Sequence, residues 1–322
     1  MAQEQKQPRL WGDKRYHTFN WHLRQTFGGK VFKVALDGGF TCPNRDGTFG
    51  DAGCIYCSGR GSGDFAGQAG TSLHEQFVQG RAMMQKKWPR AQYIAYFQAF
   101  SNTYAPLDRL KQVYEAGLAE SGVVGLAIAT RPDCLSPEVV DYLAELSRRT
   151  YLWLELGLQT IHRRTLDWIG RGHDEDQFLQ AVQRLQRRDI RICAHLILGL
   201  PGESREDMLA SAAAVAALPV QGVKYHLLHV LRGTRLAEEF LRRPFELLSR
   251  EDYISLVTDI LEITPPDKII LRLTGDGAPN DLLAPVWSRK KWEVLNAIDA
   301  ELIRRNAWQG CRGRRSIDKE ME

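Results

Sequence analysis

Nowhere do the 322 residues contain a run of eighteen or so apolar residues, the length a membrane-spanning helix requires. The opening stretch, MAQEQKQPRLWGDKRYHTFNW, is polar and lacks the apolar core of a secretory signal. These absences predict a cytoplasmic protein with no membrane partner. Strong charge of one sign is missing too: a formal net charge of +4 is too slight to identify a polyanionic partner by itself. Internal repeats and low-complexity tracts are absent, and cysteine is scarce, at six residues. In a reducing cytosol, clustered thiols hold metal or do redox chemistry rather than pair as disulfides.

What is present is enough chain for one large α/β domain with appendages, or for two ordinary domains, at an ordinary hydrophobic fraction of 43%. RYHTFNWHLRQTFG reads as a short helix and KVFKVALDGGF as a strand. Helices then alternate with strands: SLHEQFVQGRAMMQKKW before YIAYFQAF, PLDRLKQVYEAGLAES before VVGLAIAT, and SPEVVDYLAELSRRT before YLWLELGLQ. DEDQFLQAVQRLQRRD precedes IRICAHLILGLPG, and SREDMLASAAAVAAL precedes GVKYHLLHVL. Such alternation predicts a parallel sheet with helices outside it, curled into a barrel or left open, with the chemistry at the strand C-terminal ends. The count fits an α/β partial TIM-type barrel, about (β/α)6, over residues 30–231. An N-terminal extension covers 1–29, and a C-terminal extension over 232–322 holds helix SREDYISLVTDILEIT, strand KIILRLTG and a basic helix and tail. The last residues, GCRGRRSIDKEME, are expected to be poorly ordered.

Three of the six cysteines, Cys42, Cys54 and Cys57, crowd into GGFTCPNRDGTFGDAGCIYCSGRG, directly after the first strand, with the spacing C-x11-C-x2-C. A structural zinc site needs four ligands, and Cys134 or His74 would have to supply the fourth. A [4Fe-4S] cubane held by three thiolates instead leaves one iron open to a substrate or cofactor. Eight glycines between Gly38 and Gly63 let this loop wrap closely and turn backbone N–H groups toward sulfur.

Period-two alternation puts Trp153, Glu155, Gly157 and Gln159 on one face of their strand. A carboxylate and an amide inside a barrel need partners, because an unpaired buried polar group costs ~2 to 7 kcal/mol on transfer scales. A structural pairing of Glu155 with Arg131, at the preceding strand end, is one solution. His195, His226 and His229 lie on late strands, and Lys224 shares the parity of His226. They are candidates for substrate binding or proton transfer, or satisfied core histidines. Cys134 and Cys193 read as packing residues.

In this order, CPNRDGTFGDAGCIYC, YFQAFSNTYAP, TRPDCL, LELGLQT, RGH, HLILGLPGE, LTGD and APVW resemble the motifs of radical S-adenosylmethionine (SAM) enzymes, roughly from Arg15 to Gly310. The long first cysteine interval is similar to that of the YhcC/YtqA-like branch, related to the radical-SAM half of the elongator catalytic subunit. The resemblance implies that Cys42, Cys54 and Cys57 hold a [4Fe-4S] cluster and that SAM chelates its open iron. An electron from the cluster then splits the sulfonium C–S bond, and the resulting 5'-deoxyadenosyl radical abstracts a hydrogen from substrate. Tyr56, before the third cysteine, is placed near the adenine. Where the superfamily often carries a Gly-Gly-Glu turn for the SAM amino group, this chain has QAFSNTY, so Gln98, Ser101 and Asn102 become the substitutes. GLPGE resembles the segment whose backbone meets the adenine, with Gly199 and Gly202 permitting close approach; taken alone they read as a tight β/α turn. SAM's ribose hydroxyls and amino group offer functional partners to Glu155 and Gln159, with Arg131 beside them. Lys224, His226 and His195 are the candidates facing substrate.

The N-terminal segment interleaves Arg9, Lys14, Arg15, Arg24, Lys30 and Lys33 with Trp11, Tyr16, Phe19, Trp21, Phe27 and Phe32. This mixture suits RNA binding, and equally suits an amphipathic helix that caps the barrel. From Val286 to Lys319, nine cations stand against four anions, a second basic patch. The family resemblance implies a tRNA partner, an electron donor such as flavodoxin or ferredoxin, and modification of a wobble uridine: 5-carboxymethylaminomethyl-uridine to 5-aminomethyl-uridine. The alternatives are a radical SAM enzyme acting on a small molecule and a non-catalytic metal-containing RNA-binding or sensor protein.

Overall fold

Along the central strands the outward row is apolar throughout while the inward row mixes small and polar residues with a few large rings, and this difference decides which face takes helices and which encloses space. The computed structural model describes residues 7–68, 70–277 and 280–313. Helix α1 (Phe19–Phe27) begins at Thr18, whose hydroxyl accepts from the Trp21 N–H. It is followed by β1 (Val31–Leu36), α2 (Leu73–Lys87), β2 (Gln92–Phe97), α3 (Leu107–Leu118), β3 (Val123–Thr130), α4 (Pro137–Arg149) and β4 (Tyr151–Gln159). Next come α5 (Arg163–Trp168), α6 (Glu175–Gln186), β5 (Arg191–Leu198), α7 (Arg205–Ala217) and β6 (Gly222–Leu227). The remainder is β7 (Val230–Leu231), α8 (Arg235–Arg242), α9 (Arg250–Ile263), β8 (Ile269–Arg272), β9 (Leu282–Ala284), a 3-10 turn (Val286–Arg289) and α10 (Lys291–Arg304). Reciprocal capping boxes at Ser72/Glu75, Asp174/Gln177 and Ser204/Asp207 fix where α2, α6 and α7 start.

The main sheet is parallel, in the order β1-β2-β3-β4-β5-β6-β8, a curled half-barrel. Its first six strands are the six β/α units read from the sequence, and the seventh is the strand expected in KIILRLTG. That strand, β8, has four residues and follows β6 only after β7, α8 and α9, and it joins the sheet beside β6. β7 and β9 form a separate antiparallel ribbon. No helix among the described residues is long and apolar enough to cross a membrane.

Outward residues such as Val34, Leu36, Phe97, Leu126, Ile128, Leu154 and Leu156 join the main core beneath the helices. Inward, Val31, Ile94, Tyr96, Ala127, Trp153, Cys193 and Ile269 form a smaller cluster at the lower end, together with Leu23 of α1. The N-terminal extension is a barrel part: the Ile270 N–H donates to the His17 carbonyl at 2.8 Å, which covers an edge of β8. Phe19 stands edge-on to Trp153, at 5.7 Å between ring centroids, and Trp11 and Tyr16 are buried. The rings that suited an RNA platform therefore cap the barrel. Their cations are engaged as well: Lys14 pairs with Asp299, Arg15 donates to the carbonyls of Leu302 and Ala307, and Lys33 turns inward to Glu155.

The C-terminal patch is similarly neutralised from within. Arg304 pairs with Glu301, Arg305 with Glu301, Asp259 and Glu262, Arg312 with Glu262, Lys290 with Glu293, and Lys291 with Asp276. Arg314, Arg315 and Lys319, and the expectation about order beyond Gly313, lie outside the described residues.

Candidate active site

Cys42, Cys54 and Cys57 line the mouth of a cavity of about 790 Å³ that runs down the inside of the half-barrel to Phe19. β1 delivers the cysteine loop to the strand C-terminal ends, and backbone bonds then moor it to the far wall: the Ile55 N–H donates to Ile169 and the Leu236 N–H to Ile55. Arg45 donates to the carbonyls of Cys57 and Ser58. Gly53, at φ +72°, lies so close to Arg45 that a Cβ would stand 2.7 Å from its Nε, which explains the glycine there.

Sulfur is surrounded by donors. Arg171 places Nη1 3.6 Å from Cys54 Sγ while its Nη2 donates to the Gly157 carbonyl at 2.8 Å. Asn44 Nδ2 stands 3.5 Å from the same sulfur and also donates to the carbonyls of Gly170 and Arg171. Burial alone would raise the Cys54 thiol, but the adjacent Arg171 guanidinium outweighs it and lowers the value, favouring thiolate. Burial and the neighbouring Cys54 push Cys57 up.

Neither proposed fourth zinc ligand joins the triplet. His74 sits on α2 beside Glu120, and Cys134 is a buried thiol pushed up to about 12 by burial and Asp133. Among the described residues no three Cys, His, Asp or Glu side chains converge on a single-ion site. A cubane takes its three thiolates on three different irons and needs no such convergence. Three cysteines around one cavity, with an arginine and an amide directed at sulfur, fit that group.

Deeper in the same cavity, Glu155 of β4 is fully buried and paired with Lys33 of β1 and Lys224 of β6. Lys224 Nζ also donates to the Tyr96 hydroxyl at 3.1 Å, and His195 Nε2 lies 3.2 Å from the Glu155 carboxylate without hydrogen-bond alignment. Burial pushes the carboxyl upward, yet the lysines override it and hold Glu155 well below the usual carboxylate range. Burial brings Lys224 down to about 8, His195 to about 4 and His229 to about 4, and lowers His226 further. The rings are therefore neutral near pH 7. This arrangement corrects the expected Glu155–Arg131 pair: Arg131 pairs with Asp133 and donates to the Arg171 carbonyl.

Most sequence candidates reach the cavity: Tyr56, Gln98, Ser101, Arg131, Glu155, Gln159, His195, Lys224 and His226 all line it. Others do not. Asn102 is fully buried outside the lining and its amide holds the Ala129 carbonyl. Gln98 uses its amide on the Ser62 carbonyl, whereas Ser101 keeps a hydroxyl without an aligned partner. Gly199 and Gly202 stand outside the lining, in the turn after β5, at φ +88° and +82°. The sequence reading missed Asn44, Lys33, Tyr96 and Arg171, although Arg171 begins the RGH motif and Lys33 alternates with Ala35 on the inward face of β1.

A parallel half-barrel with a cysteine triplet after its first strand defines a class, and the family models place the chain in it. The chain belongs to the radical SAM superfamily: residues 42–215 match that family's model and residues 220–304 match the radical SAM C-terminal domain. As a member it uses a [4Fe-4S] cluster and SAM. It is 54% identical to YtqA of Bacillus subtilis over 92% of each chain. A more distant relative, tRNA uridine(34) acetyltransferase of Methanocaldococcus jannaschii, is 28% identical over 49% of this chain and 29% of its own length. The fold matches Elp3 of Methanocaldococcus infernus with a TM-score of 0.64 at 19% identity, over 88% of this chain and 65% of that one.

Proposed function

We propose that this radical SAM enzyme removes the carboxymethyl group from 5-carboxymethylaminomethyl-uridine at the tRNA wobble position, leaving 5-aminomethyl-uridine. The observation that carries the reading is a single cavity with the cysteine triplet at its mouth and the Glu155, Lys224 and His195 cluster below. A relative whose name specifies tRNA uridine 34 supports the substrate class. Phe49 and Phe65, 60% and 52% exposed in the cysteine loop, offer rings on which an unstacked base can lie.

Cys42, Cys54 and Cys57 would hold the cluster, and Tyr56, Ser101, Arg131 and Gln159, which line the same cavity, would surround SAM. When bound, the cluster and SAM supply a 5'-deoxyadenosyl radical that takes one hydrogen atom from substrate. Product identity selects the carbon: oxidation of the methylene between nitrogen and carboxylate breaks the required C–N bond, whereas oxidation at the uracil-linked methylene would leave a formyl group. Loss of one hydrogen atom and then one electron and one proton converts N–CH2 to an imine, and water hydrolyses it to amine and glyoxylate. The electron acceptor for this oxidation would be the cluster that Cys42, Cys54 and Cys57 would hold, reduced at the outset by a flavodoxin- or ferredoxin-like donor. SAM, modified uridine and water thus become methionine, 5'-deoxyadenosine, aminomethyl-uridine and glyoxylate. His195, held neutral by burial, accepts the one proton released as C=N forms, and Lys224 gives one to the departing amine.

Nucleoside mass spectrometry of tRNA from cells with and without the gene tests the substrate. Accumulation of the carboxymethylaminomethyl form in the deletion strain is expected. An unchanged wobble-uridine profile, with no 5'-deoxyadenosine from anaerobic protein, reductant, SAM and modified tRNA, would overturn the reading.

A further inference from the structure

Register places Gly157, His195, Lys224 and Arg272 as successive cross-strand neighbours on β4, β5, β6 and β8, so three polar side chains form one row on the cavity wall. The charges in this region do not balance. Among cavity-lining residues, Lys33, Lys224 and Arg272 stand against Glu155 and Asp276, three cations for two carboxylates. Glu155 is shared between both lysines, and Asp276 is held by Lys291 at 2.6 Å while Arg272 lies 3.7 Å away. Beside this row, Nε2 of His229 is buried without a hydrogen-bond partner, while His195 Nε2, within the row, lies 3.2 Å from the Glu155 carboxylate without alignment. Gly275 packs against His229 and His226: a Cβ there would meet them at 2.9 Å and 3.3 Å. Surplus positive charge and an unpartnered imidazole nitrogen on a cavity wall call for an anion.

We propose that Lys224 and Arg272, flanked by His195 and His229, form a seat for a carboxylate carried by the substrate. This rests on the wobble-uridine reading for the identity of that group, the carboxymethyl arm; the seat itself needs only a carboxylate-bearing amine. Its place on the β5-β6-β8 wall sets it apart from the cysteine loop, which leaves β1 and is moored at Arg171. Arg272 is then a specificity-determining residue that fixes the arm while the nitrogen and its methylene stay free to react.

The test compares binding of anticodon stem-loop RNA bearing 5-carboxymethylaminomethyl-uridine with the same RNA bearing 5-aminomethyl-uridine, using cluster-loaded full-length protein. The wild type is expected to prefer the carboxylate form about tenfold, the size of one charge-assisted hydrogen bond. Arg272→Gln should erase the preference and Arg272→Lys restore part of it, a pattern that a merely structural arginine would not produce. Equal affinity of the wild type for both RNAs, or an undiminished preference in Arg272→Gln, would overturn the seat. SAM also carries a carboxylate, so its affinity is titrated in parallel: a tenfold loss for SAM in Arg272→Gln with RNA preference intact would assign the residue to the cofactor and overturn the proposal. If neither RNA binds, the wobble-uridine reading falls, and the seat is judged with N-methylglycine against dimethylamine by protein-observed NMR. Shifts induced by the carboxylate and lost in Arg272→Gln would uphold it; equal responses to both amines would overturn it.

Discussion

Arginines at the cavity mouth and lysines at its floor meet different partners. At the mouth, Arg45 holds loop carbonyls, Arg131 holds Asp133, and Arg171 reaches both sulfur and a β4 carbonyl. The planar guanidinium fork suits these divided contacts, since one cation can orient several acceptors. At the floor, Lys33 and Lys224 converge on one buried carboxylate as point charges. The mouth is thus organised around thiolates that will carry a group, and the floor around a charge balance that an incoming anion completes. The two ends should fail separately when each is broken.

The largest effect is expected at the mouth. Replacing any one of Cys42, Cys54 or Cys57 by alanine should abolish 5'-deoxyadenosine formation and lower iron content, whereas Cys311→Ala should leave both intact. Iron analysis with product chromatography checks this, and full activity in any member of the triplet would remove it from the cluster. Arg171→Met comes next. Loss of a residue that orients metal ligands typically costs about 10 to 100-fold in metal affinity or activity. A similar fall in SAM cleavage is expected here, with Arg171→Lys giving incomplete recovery because an ammonium cannot reach sulfur and the Gly157 carbonyl together. A shift in the cluster's reduction potential would separate this positioning role from simple loss of fold.

Breaking the floor should spare the cluster. Glu155→Gln leaves buried Lys224 and half-buried Lys33 without their carboxylate, a change that costs on the order of 3 to 5 kcal/mol when a buried pair loses one partner. Chemical denaturation should register that loss while iron content stays at the wild-type level. A variant that unfolds no more readily would show that the lysines find other compensation.

The same two ends differ in how far the sequence announced them. Three cysteines in one glycine-rich loop are local in sequence, so their spacing carries the cluster reading by itself. The alternating elements were legible because each strand of the main sheet has an apolar outward row and follows a helix. Arg171 was not, because its meaning depends on a contact 117 positions away with Cys54. Lys33 looked like part of a basic surface segment, yet parity on β1 turns it inward. The N-terminal rings illustrate the limit: a helix that plugs a barrel and a platform that stacks bases need the same mixture of aromatic and basic residues. Only tertiary packing, here Phe19 on Trp153, distinguishes them.

Acidification offers the gentlest way to separate the floor's components. His195 and His229 have folded values near 4, lowered by burial from 6.5, and His226 is lowered as well. Below pH 6.5 the unfolded chain takes up protons that these folded rings refuse. Stability is therefore fully present above about pH 6.5 and declines as pH falls toward 4. Glu155 has the opposite chemistry but the same sign: its folded value is depressed, so its contribution persists above the ordinary carboxylate value near 4.5 and is lost only in stronger acid. Melting temperature against pH should show a first decline between about 6.5 and 4 that His195→Gln with His229→Gln flattens. Glu155→Gln should flatten the second, more acidic decline. A first decline unchanged by the double histidine substitution would place the responsible rings elsewhere, with His17 and His22, whose values burial also lowers, the next to replace.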